Sequence, residues 1–284
     1  MKIVFLSGGL GNQMFQYAFY KQLSERCDDV KCDWGLLKNR NIHNGYELSR
    51  IFNINDVECN PFSRFFARVL YYLRILNKRR VLSIVRGVFN CDVIMDKEDL
   101  FVNNHRNLFI LGYWQAERFL SQNFEFEFND SLLNTRTKEI YRAIESCNSI
   151  SIHIRRGDYL TKGNIGIYGN ISTIEYYKNA ISKIREYVQN PKFYIFSNDV
   201  EWVKENIPLA DAEYVSHNIG EESWQDMFLM SKCKHNIIAN STFSWWGAWL
   251  NKNDGKIVIC PNKFTNTREK TEIYPQNWIR VLSI

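Results

Sequence analysis

Three short polar strings carry the residues best suited to chemistry, and each follows an apolar run of strand length. His153-Ile-Arg-Arg-Gly-Asp-Tyr159 ends the run 149–154, Phe196-Ser-Asn-Asp199 ends the run 192–196, and Asn240-Ser-Thr-Phe243 follows the run 235–239. Two adjacent arginines beside a glycine and an aspartate suit an anionic ligand such as a diphosphate, because the planar guanidinium matches phosphate oxygens two at a time. Hydroxyls and free amides at the start of a helix bind the same group. Strand alternation puts Ser151, His153 and Arg155 on one face, opposite Ile152 and Ile154. A fourth string, Gly8-Gly-Leu-Gly-Asn-Gln-Met14, lies between the apolar run 2–6 and a helical stripe of Met14, Phe15, Ala18, Phe19 and Leu23. Its glycines let a ligand approach backbone amides, although Met14 stands where a GxGxxG pattern needs its third glycine. Each string also has a purely structural reading. Asn12 and Asp199 suit helix N-caps, Arg156 and Asp158 a surface ion pair, His153 a hydrogen-bonded core position, and Phe243, Trp245, Trp246 and Trp249 a core.

The elements that must hold these residues are clearest after residue 149. Strands are predicted at 149–154, 192–196, 212–216, 235–239 and 256–260, with helices over 173–188, 224–233 and 242–250. Ser172-Thr-Ile-Glu175 has the form of a capping box and Ser223 of an N-cap. Strands alternating with helices predict a parallel, doubly wound sheet, in which ligands bind at the carboxyl ends of strands. Residues 31–145 are less regular, with a strand at 109–113 and a basic segment, 62–80, that suits an amphipathic helix. The boundary is expected at 145–149, which makes 1–147 a first lobe and 148–284 a second. The three strings would then form a nucleotide-diphosphate site in a cleft between lobes, closed by the glycine string. No DxD-like acidic pair accompanies them. Arginine and helix-terminal amides are therefore expected to stabilise the leaving group without a metal.

Composition sets the outer limits. A chain of 284 residues, 45% of them hydrophobic, is long enough for two domains with substantial cores. The net charge is +5, yet the stretch from Cys59 to Cys91 has seven basic residues, Arg64, Arg68, Arg74, Lys78, Arg79, Arg80 and Arg86, and no acid, so the remainder is slightly acidic. The seven cysteines form no CxxC pair and the five histidines no zinc spacing with them, which points to reduced thiols in the cytoplasm. The apolar run at the N-terminus is too short for a signal-peptide core, and no stretch is long enough to span a bilayer.

Taken together, Gly8-Gly-Leu-Gly-Asn-Gln-Met-Phe-Gln-Tyr-Ala18, His153 to Tyr159, Phe196 to Asp199 and Asn240-Ser-Thr-Phe-Ser-Trp-Trp-Gly-Ala-Trp-Leu250 resemble the bacterial α-1,2-fucosyltransferases of glycosyltransferase family 11. The strings occur in family order from residue 8 to 250, while 31–145 carries few matches. The resemblance implies a GT-B-type α/β enzyme with two Rossmann-like lobes and the donor site in the cleft. It implies inverting transfer of L-fucose from GDP-fucose to the 2-hydroxyl of a galactose residue in a glycan, without a metal or other cofactor. Arg155 is expected on the donor β-phosphate and Asn12, with Gly9 and Gly11, on the donor phosphate or reacting sugar. His153, Ser197, Asn198 and Asp199 are expected to hold GDP, and Ser241, Thr242 and Phe243 to surround the diphosphate and fucose. Asp158 and His153 are candidate bases for the acceptor hydroxyl, and a dissociative path that passes the proton to phosphate is the third option.

Two other classes remain alongside this one: a GT-B transferase with another donor or linkage, and a non-catalytic protein that binds a GDP-sugar or glycan. Nucleic-acid binding through the basic segment lacks any recognisable module. The aromatic and basic residues between Arg64 and Arg86 suit either a peripheral contact with anionic lipid at the inner face of the membrane or a solvated helix packed by its aromatic face.

Overall fold

The computed structural model describes residues 1–37, 43–58, 60–95, 107–267 and 273–282. Cys59 and His105 lie outside the described residues. The chain divides into two compact units, Met1–Glu127 and Phe128–Ile284.

The first unit holds a parallel sheet. Along the chain come β1 (Lys2–Phe5), α1 (Leu10–Ser24), β2 (Val30–Asp33), α2 (Leu48–Phe52), β3 (Val57–Glu58), α3 (Pro61–Ile75), α4 (Arg79–Phe89), β4 (Cys91–Ile94) and β5 (Asn107–Ile110). The strand order is β3-β2-β1-β5-β4, with every pair parallel. The strand expected at 109–113 is thus β5, begun two residues earlier, and the basic segment forms two helices where one was expected. Gly9, and not Asn12, is the N-cap of α1. Gly8 has φ +76°, and a Cβ there would come 2.7 Å from Asn12 Nδ2, so the turn into α1 requires glycine. Gln13 and Gln16 of the same string are fully buried. Gln13 Nε2 donates to the Gly45 carbonyl at 2.7 Å, and Gln16 Nε2 donates to that of Gly112 at 2.7 Å. These two glutamines therefore join the glycine turn to distant loops, which accounts for their place in the string.

The second unit carries α5 (Thr135–Glu145), β6 (Asn148–Ile154), α6 (Ile165–Tyr168), α7 (Ile174–Arg185), β7 (Pro191–Ser197), α8 (Val200–Asn206), β8 (Ala212–Val215), α9 (Trp224–Lys232), β9 (His235–Ile237), α10 (Thr242–Trp249), β10 (Val258–Pro261) and β11 (Ile279–Val281). Its sheet runs β11-β10-β9-β6-β7-β8, again all parallel. Ile150, Ile152 and Ile154 of β6 form a core with Tyr176, Tyr177, Ile181 and Ile184 of α7. The opposite face of β6 is buried too, where Asn236 Nδ2 donates to Ser151 Oγ at 2.7 Å. The expected tryptophan core is present: Trp245 and Trp246 are buried and Trp249 stacks on Trp245 at 5.0 Å.

The unit boundary falls earlier than residue 147, at Glu127 and Phe128. Phe128 stacks on Trp224 at 5.9 Å, and Tyr141 of α5 packs edge-on against Phe228 at 5.3 Å. Residues 128–147 thus bury their aromatic surface in the second unit, a long-range choice that local composition does not reveal. Two capping expectations also change. Thr173 caps α7, its hydroxyl accepting from Tyr176 N at 3.1 Å, and Ser172 is turned elsewhere. Ser223 does hold the N-cap position of α9, but with helical dihedrals and no side-chain cap bond. No helix among the described residues is long and apolar enough to cross a membrane.

Helices α9 and α10 meet closely at Gly247, where an added Cβ would lie 2.9 Å from Met230 Cβ. A Cβ cannot swing away as a long side chain can. Gly247→Ala is expected to cost about 1–3 kcal/mol through overpacking, despite alanine's better helix propensity, measured as a lower urea midpoint with unchanged slope.

Candidate active site

The parallel register of the second sheet delivers the polar strings to one edge. Ile154 of β6 pairs with Ser197 of β7, and Ile152 with Ile237 of β9, so the residues that follow emerge side by side. At this carboxyl edge the backbone amide of Arg156 donates to Asn198 Oδ1 at 3.1 Å. Gly157 then passes so close that a Cβ would lie 2.1 Å from Asn198 Nδ2, so a larger residue here would force the Asn198 amide to shift.

The two adjacent arginines are held differently. Arg156 Nε donates to Asp199 Oδ2 at 3.0 Å, and its guanidinium lies 3.5 Å from the centre of the Trp202 ring. Asp199 is the N-cap residue of α8 without a side-chain cap bond; its carboxylate serves Arg156 instead. The expected Arg156–Asp158 pair is therefore replaced. Asp158 accepts from Arg155 Nε at 2.9 Å. Arg155 is about one-third exposed, and among the described residues its two terminal guanidinium nitrogens have no hydrogen-bond partner. An oriented guanidinium with an open fork is suited to a phosphate.

The 240 loop is fixed from several sides. Asn240 is buried; its Oδ1 accepts from Ser172 Oγ at 2.9 Å, and its Nδ2 donates to the Tyr168 and Phe264 carbonyls at 3.1 Å each. Tyr159 Oη donates to the Asn240 carbonyl at 3.0 Å, while the Tyr159 ring lies 5.8 Å from the Arg155 guanidinium carbon. Ser241 caps α10, its Oγ accepting from Phe243 N at 3.3 Å. Thr242 is the first residue of that helix. Phe243 faces His153, their ring centres 5.8 Å apart.

His153 is buried, and among the described residues its Nδ1 has no hydrogen-bond partner. Burial, with the Arg155 charge adding to it, pushes its pKa down to about 3. It is neutral at physiological pH, able to hydrogen-bond to a ligand but weak as a proton acceptor. The structure thus brings His153, Arg155, Asp158, Asn198, Asp199, Ser241 and Phe243 into one connected cluster. Ser197 joins it locally through a bond from Asp199 N to its Oγ at 3.0 Å. Gly9, Gly11 and Asn12 belong to the first unit, at the start of α1, where Asn12 Oδ1 accepts from Gln115 Nε2 at 2.9 Å. Sequence reasoning missed Tyr159 as a brace, Asn240 as a hub and Trp202 as the platform for Arg156. The first two lie within the quoted strings, whereas nothing local marks Trp202.

The profile described as Glycosyl transferase family 11 matches residues 94–282. Alpha-1,2-colitosyltransferase of Escherichia coli is 34% identical over 284 aligned residues, covering 97% of each chain. O-antigen biosynthesis glycosyltransferase WbnK of Escherichia coli is 33% identical, covering 97% of this chain and 99% of its own. Among solved structures, NodZ alpha-1,6-fucosyltransferase co-crystallized with GDP matches 88% of this chain and 91% of its own, with a TM-score of 0.55 at 16% identity, a likeness of fold.

One further carboxyl in this unit is perturbed. Burial pushes Asp226, near the start of α9, up to about 7, opposed by a bond from Asn218 Nδ2 at 2.8 Å. An unfolded aspartate releases its proton near pH 4, so between there and pH 7 the native state holds a proton that the unfolded chain has lost, and this group erodes stability as pH rises. Asp226→Asn is expected to be more stable than the parent by about 1–3 kcal/mol at pH 8, an advantage that vanishes by about pH 4. Urea titrations of both proteins at the two pH values measure it. An advantage that grows toward acid pH would contradict the assignment.

Proposed function

The chain belongs to glycosyl transferase family 11 and is a glycosyltransferase, and from that premise we propose that it moves L-fucose from GDP-fucose, with inversion, to the 2-hydroxyl of a galactose residue in a glycan. The observation that carries the reading is the guanidinium fork of Arg155 at the end of β6, oriented through Nε by Asp158 and without a hydrogen-bond partner among the described residues, next to Arg156, whose guanidinium is packed on Trp202. The linkage is supported by the α-1,2 specificity named for the colitosyltransferase relative, and the donor by the family strings. A cytoplasmic setting fits the free cysteines among the described residues, four of which are buried.

As the bond to the anomeric carbon breaks, negative charge grows on the β-phosphate of the departing GDP. In this reading Arg155 and the first-turn amides of α10, after the Ser241 cap, receive that charge. His153 lies beside Phe243 and offers its unpartnered Nδ1 to the donor. Asp158 acts as a positioning residue: it accepts from Arg155 Nε and aims the fork. With His153 a weak base and Asp158 engaged, the acceptor proton passes to the departing phosphate late in a dissociative reaction. Arginine and amides supply the electrostatic stabilisation that elsewhere falls to a divalent ion, so the reaction proceeds without one.

Arg155→Ala is expected to lower kcat by about 100- to 1,000-fold in a protein with a normal melting temperature. Near-parental turnover by the folded variant would remove Arg155 from the reaction. Asp158→Asn, whose amide oxygen still accepts from Nε, is expected to keep substantial activity and an unchanged pH profile, whereas Asp158→Ala loses far more. Loss of the acid limb of the pH profile in Asp158→Asn would identify Asp158 as the base. Activity is expected to survive exhaustive chelation. Asn12→Ala, tested in the same assay, checks the role that the family strings imply for Asn12.

The colitosyltransferase relative favours one second reading, transfer of colitose through the same α-1,2 linkage. Parallel reactions with GDP-fucose and GDP-colitose on galactose-terminated acceptors, with the product linkage determined by NMR, decide between them. Binding of GDP-sugars without transfer to any acceptor would overturn both.

A further inference from the structure

Helices α3 and α4 carry two apolar stripes each, and only one stripe of each faces the protein. Ala67 and Leu70 of α3 and Leu82 of α4 are buried against Val93 of β4 and Phe109 of β5. Arg74 Nη1 donates to the Val93 carbonyl at 3.0 Å, and Arg86 Nε donates to Asp92 at 2.6 Å, pinning the helix pair to the sheet. The outward stripe of α3 is Phe62, Phe65, Tyr72 and Leu76, exposed by 59–78%. The spacings of 3, 7 and 4 put these residues on one helical face, away from Ala67 and Leu70. Val81, Ile84 and Val88 repeat the pattern on α4, exposed by 48–71%. The solvated-helix reading of this segment accounts for the buried stripe but leaves the outward one unexplained. Soluble surfaces rarely expose so many large apolar side chains together.

The charge around the outward stripe selects its partner. Arg68, Lys78, Arg79 and Arg80 are exposed, and the segment 60–91 contains no acid. A second copy docked through the same stripe would bring two strongly cationic segments together without compensation. Nucleic acid would satisfy the cations and could stack on Phe62, Phe65 and Tyr72, but it would leave the aliphatic Leu76, Val81, Ile84 and Val88 in water. An anionic bilayer satisfies both sets: the apolar side chains enter the boundary between headgroups and acyl chains, and the arginines and lysine remain among the phosphates. We infer that the outward face of α3 and α4 is a peripheral docking surface for an anionic membrane, holding the first unit on the lipid surface.

The test is co-sedimentation of the purified full chain with phosphatidylcholine vesicles, with or without about one-third phosphatidylglycerol. Binding to the anionic vesicles is expected to exceed binding to neutral ones by at least about tenfold and to weaken as salt is raised. Joint replacement of Arg68, Lys78, Arg79 and Arg80 by Ala is expected to weaken it by about fivefold per charge. Phe65→Ser with Ile84→Ser and Val88→Ser is expected to abolish binding, and each variant should keep its melting temperature. Sugar transfer to a soluble acceptor should be unaffected in the charge variant, which separates this surface from the donor site. Failure of the intact protein to sediment, equal binding to neutral vesicles, or a dimer in light scattering that the serine variant dissolves would overturn the inference.

Discussion

The ion pair between Arg156 and Asp199 organises the carboxyl edge of the second sheet. It joins residues that follow two adjacent parallel strands, and the Trp202 ring beneath the guanidinium holds the pair in one geometry. Two like charges sit next to each other in the chain, and each is paired with its own carboxylate. Asp199 neutralises Arg156. Asp158 holds Arg155 in the same way, through Nε; the difference is that the Arg156 guanidinium lies 3.5 Å from the Trp202 ring centre, whereas that of Arg155 lies 5.8 Å from the Tyr159 ring. The close passage of Gly157 past Asn198 supports this arrangement, because a Cβ at Gly157 would displace the Asn198 amide that accepts from Arg156 N.

The second constraint is the satisfaction of Asn240. A buried amide group left without partners would cost several kcal/mol, of order 1–3 for each lost bond. Here Ser172, Tyr168 and Phe264 satisfy the side chain, and Tyr159 reaches the backbone carbonyl. The loop that opens α10 is thus tied to α6, to the turn before α7 and to the turn after β6. In the proposed reaction this rigidity matters more than any single contact, since preorganised donors need not be reoriented as charge develops. His153 belongs to the same logic. Its burial keeps it neutral, so it adds hydrogen-bonding capacity beside Arg155 without adding a competing positive charge.

The first unit meets a different demand. Its two basic helices are attached to the sheet through small and aliphatic residues, while a second apolar stripe is turned away from it. The local excess of positive charge, which composition alone could assign to nucleic acid, is spatially tied to that stripe. An arrangement of this kind matches the amphipathic character of a lipid surface better than the uniform polyanion of a duplex.

By itself, the sequence determined the chemical strings, their order, and the alternation of strands and helices after residue 149. These features are local: a period of two or 3.6, a glycine turn and a run of arginine and aspartate can all be read within a dozen residues. Strand β11, the short strands β2 to β4 and the residues that brace the site were not legible in the same way, because burial and pairing with distant segments define them. Tertiary structure decided that Arg156 pairs with Asp199 and packs on Trp202, both more than 40 positions away in the chain, while Arg155 pairs with Asp158 close by. It also decided that Thr173 and not Ser172 caps α7, that residues 128–147 join the second unit, and that His153 is neutral. The physical reason is common to all of these. Residue type fixes what a side chain can do, whereas its partners and its exposure to water, both set by long-range packing, fix what it does.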